Sequence, residues 1–374
     1  MTMGMDDKLL TIVIPSYNME KYIVRTCSSL VVPSELMERL EVLIINDGST
    51  DRTSELGHVI ARRYPETFRV IDKPNGHYGS CVNCGLASAN GKFIKILDCD
   101  DTFKVGQLEK FIKFLAEGEK LFQNGEVDLI VTDFNIVSDA TLIEVPGNNL
   151  IVERKKWHSD CPLDLRPHTI DDFLPMAERF DHYAITYRTE MLRQYKYRQT
   201  EGCAYTDLEW IFIPMCSVRN IVYWPYFLYQ YSCDRAGRST ELDTWYKTIS
   251  VRFHIVRKNL EEFKKKIGDM PEYKKSFLRR LIIRRVSEFY FAGLIAGNRD
   301  LSGKKLKNLD KEIGDIDEGL YNDVGELTFT NQHVRMVYLW RKSKLLAMLI
   351  GKIIKLYIKA KKYAQEILKG KFNS

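Results

Sequence analysis

Asp98, Asp100 and Asp101 crowd into four positions directly behind the apolar run Phe93-Ile94-Lys95-Ile96-Leu97. Carboxylates at the end of a buried strand repel one another, and desolvation makes this worse, unless a cation lies among them. Hard oxygen donors in this pattern suit Mg²⁺ or Mn²⁺, which bridge to the oxygens of a diphosphate. A solvated acidic turn is the competing reading, because a short motif alone does not decide between them. Other residues with chemistry to offer stand at similar places. Tyr17 presents a flat ring on which a base can stack. Asp47 presents acceptors for a base N–H or a ribose hydroxyl, and Gly76 and Gly79 permit close backbone approach to a ligand.

These residues need elements to hold them. Leu9–Pro15 reads as a strand stopping at Pro15-Ser16-Tyr17-Asn18. Glu41–Ile45 reads as a second strand, ending at Asn46-Asp47-Gly48-Ser49-Thr50-Asp51, and Phe68–Asp72 as a third, leading into Lys73–Ser80. Apolar residues at helical spacing lie between them: Tyr22, Ile23, Cys27 and Leu30, then Leu56, Val59, Ile60 and Tyr64, then a helix from about Cys81 to Ala89. Strand–helix alternation with short connections predicts an α/β fold with a mostly parallel, doubly wound, Rossmann-like sheet. Such sheets bind ligands at the carboxyl ends of their strands, and every polar cluster above falls at one. No G-x-G-x-x-G follows the first strand and no Walker lysine loop occurs, which disfavours a dinucleotide site or an NTPase. Asn46–Asp51 also reads as a helix N-cap with glycine for the turn.

In order and separation, Ile12–Asn18, Leu43–Asp51 and Leu97–Asp101 resemble the three signatures of the family 2 inverting glycosyltransferases with the GT-A fold, and the resemblance spans residues 8–240. It implies a nucleotide-sugar donor, usually a UDP-sugar, a divalent Mg²⁺ or Mn²⁺ ion, and a glycan hydroxyl as acceptor. By position it implies that Pro15 and Tyr17 line the base pocket and that Asp47 hydrogen-bonds the uracil. Asn75 opens the loop-and-helix segment beside the nucleotide, Asp98 sits near the ribose, and Asp100 holds the metal on the diphosphate. Relatives often carry an arginine before the helix asparagine (Asn83); this chain has Val82. Glu201–Trp210 resembles the family's glutamate–aspartate segment, which makes Asp207 the base that takes the acceptor's proton. The usual preceding glutamate is Thr206 here. Glu209 is the competing carboxylate and an acceptor-side candidate, and at about 100° per helical residue the two cannot face one point. An N-cap is the structural alternative for Asp207. After a strand that starts at Trp224-Pro225, Tyr229–Ser239 resembles the segment that closes over the diphosphate, where Arg235 and Arg238 would donate to phosphate oxygens or else stand as solvated loop arginines.

Elsewhere, Val127–Phe134 reads as a further strand and Asn148–Asp172 as an irregular polar loop over the site, with His158 and His168 as surface histidines. Asp181–Arg188 alternates like a strand beside the site and offers His182 as an acceptor-side candidate. From Leu242 onward the pattern is helical, so residues 1–240 read as the catalytic domain and 241–374 as a helical C-terminal region. Residues 335–374 carry eleven Lys or Arg and one acid, Glu366, a local net charge of +10 out of +6 for the chain, leaving −4 for the rest. The final helix, about Lys344–Leu368, sets leucines and isoleucines against lysines and reads as an interfacial helix on an anionic membrane, or as a helix docked on its own domain. With no nucleic-acid reader motif and an acidic body, nucleic acid is excluded as a partner. Scattered cysteines, a polar start and no stretch of about 18 apolar residues read as a cytoplasmic protein, peripheral on the inner face of the membrane. A polyprenyl-linked glycan is then the natural acceptor. A nucleotidyl- or phosphotransferase on a related sheet, and a non-catalytic nucleotide-sugar-binding scaffold, are the competing functions.

Overall fold

The computed structural model describes residues 8–121, 127–138, 150–155, 161–233, 242–296, 301, 303–328 and 334–357. The chain divides into two compact units: Met1–Ser239 with Pro271–Leu278, and Thr240–Met270 with Arg279–Ser374.

In the first unit the strands are β1 (Leu10–Ser16), β2 (Leu40–Asn46), β3 (Phe68–Asp72), β4 (Phe93–Ile96), β5 (Thr102–Phe103), β6 (Leu129–Ser138), β7 (Leu150–Lys155), β8 (His168–Thr169), β9 (Ile185–Arg188) and β10 (Asn220–Ser232). The helices among them are α1 (Ile23–Ser28), α2 (Ser34–Met37), α3 (Thr53–Arg63), α4 (His77–Ser88), α5 (Gln107–Leu121), α6 (Thr189–Gln194) and α7 (Asp207–Phe212). β1 and β2 are buried along their whole length, as continuous apolar runs are when helices cover both faces of a sheet. Helix α4 approaches β1 closely because Gly85 has no side chain to collide with Val13. Glu41, a carboxylate admitted to this core, is paired: it accepts from Thr11 Oγ1 at 2.7 Å and from the Asn90 backbone and side chain at 2.8 and 2.7 Å.

The sheet runs β3-β2-β1-β4-β9-β6-β10-β5, with β7 on β6 and β8 on β10. Its first four strands are parallel, as is the β6–β10 pair. β9 enters antiparallel between β4 and β6. Three expectations need correction. The polar loop over 148–172 contains β7, whose Leu150-Ile151-Val152 run pairs with β6, and β8, which pairs with β10. Only Ile185–Arg188 of the 181–188 segment is a strand, because His182–Ala184 close a 3₁₀ turn first. Trp224-Pro225 does not begin β10: the proline sits inside it, where the register with β6 slips, the position at which a strand tolerates a residue without an N–H.

The second unit is helical: α8 (Leu242–Lys266), α9 (Glu272–Phe291), whose later turns belong here, α10 (Lys304–Ile316), α11 (Glu318–Gly325), α12 (Met336–Lys342) and α13 over residues 344–357. A buried polar knot ties it together. Arg341 donates to Asp310 at 2.7 and 3.0 Å and lies 3.5 Å from the centre of the Tyr321 ring, while Tyr290 donates its hydroxyl to Asp310. α13 docks through small residues: Ala347, Gly351 and Ile354 are buried, and a Cβ on Gly351 would overlap the Leu294 carbonyl. At about 100° per residue, Leu345, Leu349, Ile353 and Leu356 then face away from the body. They are 65%, 49%, 64% and 67% exposed.

Candidate active site

The loops leaving β1, β2 and β3 build one half of the site. The Asp47 carboxylate is buried and accepts from the Gly76 backbone at 2.9 Å and from the Lys73 ammonium. Lys73 also donates to Pro74 O and Ser80 Oγ at 2.7 and 2.8 Å, and Asn75 Nδ2 donates to Asp47 O at 2.9 Å. Asp47 and Asn75 therefore lie together, as the motifs require. Tyr17 is half exposed, while Pro15 is buried in β1, paired with Ile45. Asn18 and His77 hold φ of 55° and 65°, a conformation uncommon outside glycine. Asn18 is compensated by bonds to the Ser49–Thr50 turn.

The acidic cluster splits. Asp101 is buried, accepting from Tyr229 Oη at 2.6 Å and from the Ser232 backbone at 2.8 Å; burial, then the charges of Asp100 and Asp98, push its carboxyl well above the usual range. Asp98, at the rim, accepts from Tyr78 Oη at 2.9 Å and faces His182 Nε2 at 3.2 Å. Asp100 stays partly exposed while its backbone carbonyl accepts from Arg25, and Thr26 Oγ1 bonds the carbonyls of Cys99 and Asp101 at 2.7 and 2.9 Å. The three carboxylates thus do not converge on one cation. Repulsion is relieved instead by inward bonding of Asp101 and by the histidine beside Asp98.

The other half comes from α7. Asp207 opens that helix with a third of its side chain exposed, and its Oδ2 lies 4.0 Å from His182 Nδ1. Glu209 does not share that outlook. It is fully buried and accepts from Thr200 N at 2.7 Å and Thr200 Oγ1 at 2.6 Å, so its carboxylate ties down the loop before α7 and does not reach an acceptor. Arg235 and Arg238 lie outside the described residues, as does His158. His168 is at the surface, 2.8 Å from Asp164.

Against known proteins, the family model described as glycosyl transferase family 2 matches residues 11–166. Residues 11–166 thus match a family 2 glycosyltransferase domain. A glycosyltransferase of Mycoplasma pneumoniae is 36% identical over 104 residues, 27% of this chain and 34% of that one. The minor teichoic acid biosynthesis protein GgaB of Bacillus subtilis is 28% identical over 120 residues, 32% of this chain and 13% of GgaB. The matched segments thus span a third or less of these relatives' lengths. In fold, the chain is similar to S. aureus TarS 1-349 in complex with UDP-GlcNAc, with a TM-score of 0.60 at 19% identity over 91% of this chain and 89% of that one. The fold is GT-A with a helical C-terminal region.

Within this glycosyltransferase domain, a divalent ion can be tested against the donors present. Among the described residues no three of His, Cys, Asp or Glu converge on one point. Asp98 is taken up by Tyr78 and His182, Asp101 is turned inward, and Asp100 is partly exposed. One carboxylate fits an ion that completes its shell with diphosphate oxygens and water, the habit of Mg²⁺ at nucleotide sites. Sequence reasoning missed several residues of the domain. Tyr78 stands beside both Asp98 and Asp207; burial, then those charges, push its hydroxyl well above the usual range. Lys73 could have been found as the cation next to Asn75. Lys95 carried a signal: a lysine inside an apolar strand. It is fully buried, donates to the carbonyls of Tyr183 and Ile185 at 2.7 and 3.1 Å, and burial pushes its pKa down to about 7. Gly79 was read as space for a ligand; the space belongs to the Thr200 carbonyl.

Proposed function

We propose that this chain is a metal-dependent inverting glycosyltransferase that moves a sugar from a UDP-sugar to a hydroxyl of a surface glycan. The observation that carries this reading is the meeting, in a family 2 domain, of Asp98 at the end of β4 with Asp207 at the start of α7, 3.2 and 4.0 Å to either side of one histidine. In this reading the donor-side and acceptor-side carboxylates flank one imidazole. UDP-GlcNAc bound to the similarly folded TarS supports a UDP-sugar donor, and GgaB's part in teichoic acid biosynthesis supports a surface-glycan acceptor.

In this mechanism Asp47, Asn75 and Tyr17 hold the base, with Lys73 fixing the Asp47 carboxylate. Pro15, buried in β1, supports Tyr17. Asp98 holds the ribose side, and Asp100 would hold a divalent ion, Mg²⁺ or Mn²⁺, that would supply positive charge to the departing diphosphate. Arg235 and Arg238 are candidates for the same phosphates. The acceptor oxygen attacks the anomeric carbon from the face opposite the nucleotide. The glycosidic bond to UDP breaks with its electron pair leaving on the diphosphate, and Asp207 takes the acceptor's proton. The partly exposed Asp207, next to a histidine, suits this role better than the buried Glu209.

The reading includes a cytoplasmic enzyme on the inner membrane surface with a lipid-linked glycan as acceptor. Its support is α13, which turns leucines outward next to the exposed Lys344 and Lys352; among the described residues no helix is long and apolar enough to cross a membrane. Calorimetric titration of UDP with Mn²⁺ and then EDTA, on wild type and Asp100→Ala, tests the donor site. Binding that needs metal and disappears in the variant supports the reading, and binding indifferent to both overturns metal dependence. UDP release from a sugar-nucleotide panel, lost in Asp207→Asn while UDP still binds, separates a transferase from a scaffold.

A further inference from the structure

His182 sits where neither a purely structural histidine nor an acceptor contact would be expected. Its ring is nearly buried, with a side-chain exposure of 9%, and both nitrogens face carboxylates: Nε2 lies 3.2 Å from Asp98 Oδ2 and Nδ1 lies 4.0 Å from Asp207 Oδ2. In a neutral imidazole one nitrogen carries a lone pair, which would here point at a carboxylate oxygen. Only the doubly protonated ring suits both neighbours. The ring is also held. It packs on Tyr183 with centroids 3.9 Å apart, and the turn that carries it is pinned from below by Lys95 bonding the Tyr183 and Ile185 carbonyls. Thr132 Oγ1 reaches the Ala184 carbonyl at 3.4 Å. Asp98 is fixed in turn by Tyr78 on its other oxygen.

We propose that His182 is a positioning residue, a cationic clamp that ties the base Asp207 to the donor-side carboxylate Asp98 and so couples the two halves of the site. This rests on the reading of Asp207 as the base. The charged and titratable groups facing the ring are Asp98 from the end of β4, Asp207 from α7, Asp181 from its own turn, and the Tyr78 and Tyr183 hydroxyls. Burial opposes a charge on the ring. The hydrogen bond and charge of Asp98, with the charges of Asp207 and Asp181, outweigh it and hold the imidazole pKa above its ordinary value. The clamp keeps Asp207 aimed. In return, the proton that Asp207 receives during transfer relieves the histidine of one of its two partners.

The experiment is nitrogen NMR of the full chain labelled with ¹⁵N-histidine, His182 being assigned by its loss in His182→Gln. His182 should be doubly protonated at pH 7, and its midpoint should fall by about one pH unit in Asp207→Asn, the size of a single close opposite charge. A neutral ring at pH 7, or a midpoint unmoved by Asp207→Asn, overturns the clamp. A kinetic arm follows UDP release. His182→Gln, which can still bond Asp98, should bind UDP within about threefold of wild type. It should lower kcat about tenfold while KM for the sugar nucleotide stays within about threefold, the mark of a misplaced reacting group. KM rising in step with the fall in kcat would mean that His182 only fills space, and His182→Asn checks that result with a smaller side chain. If wild type releases UDP from no sugar nucleotide, the transferase reading fails, while the NMR arm still decides the clamp.

Discussion

Gly79→Ala adds one methyl group against the segment that feeds Asp207. A Cβ at Gly79 overlaps the Thr200 carbonyl oxygen and comes 2.9 Å from its carbonyl carbon and 3.2 Å from Thr206 Oγ1. Ordinary carbon contacts lie at about 3.5–4.0 Å, so the 200–206 segment must retreat by roughly 1 Å. Thr200 cannot move alone, because its N–H and hydroxyl are both bonded to Glu209, two residues beyond Asp207 on the same helix. The shift therefore reaches the base. A displacement of about 1 Å at a reacting group costs on the order of 10²-fold in rate, and overpacking of this kind costs about 1–3 kcal/mol of stability. The segment also meets the base-side loop, where Gly202 N bonds Gly76 O at 2.9 Å, but that bond lies one residue removed from the Asp47 carboxylate, so UDP affinity by calorimetry should fall less than about tenfold while UDP release slows about 100-fold. A folded variant with wild-type turnover would refute the idea that this loop sets Asp207. Affinity falling in step with turnover would refute the separation of the two halves.

Three further outcomes are expected. Lys95, with its pKa pushed down from 10.5 to about 7 by burial, binds a proton in the unfolded but not the folded chain between those values. Stability should therefore fall as pH drops through that window, by about 1.4 kcal/mol per unit. In urea titrations from pH 7.5 to 9, the difference between wild type and Lys95→Met should carry that slope; a flat difference would contradict it. Asp128→Ala removes a buried carboxylate bonded to Arg188 at 2.6 Å and to the Arg219 backbone at 2.9 Å, and should cost roughly 3 kcal/mol in the same titrations without altering UDP affinity. Glu209→Gln should keep at least about a tenth of the UDP-release rate, whereas Asp207→Asn should lose about 10²–10⁴-fold. The reverse order would exchange their roles.

The parallel half of the sheet was legible because β1 and β2 are covered on both faces, which leaves unbroken apolar runs ending in polar turns. The D-x-D-D motif located the site but not its geometry. Which carboxylate turns inward is decided by Tyr229 and Ser232, more than a hundred positions away along the chain, once Asp101 N bonds Asp98 O at 3.0 Å. β9 was overextended because the alternation from Asp181 continues through a turn whose own bond, Ala184 N to Asp181 O, is invisible in the residue pattern. The two faces of α13 were readable, but which one meets the body was not. Ala347 and Gly351 decide it, by letting the backbone come close where a leucine would have held it off.

The insertion of β9 between β4 and β6 has a consequence for how this protein comes to be made. β9 follows β6 in the chain, yet the sheet joins β4 to β6 only through it. During synthesis the strands from β1 to β4 can assemble as soon as they emerge, but β4 then presents a bare, apolar edge of the kind that recruits foreign strands. That edge waits for a four-residue strand encoded much later, and long-range pairings of this sort are slow to form. The turn that leads into that strand carries His182, so the piece that covers the β4 edge also brings the histidine between Asp98 and Asp207. A nascent chain stalled before residue 185 has neither, and is a candidate for aggregation or chaperone capture.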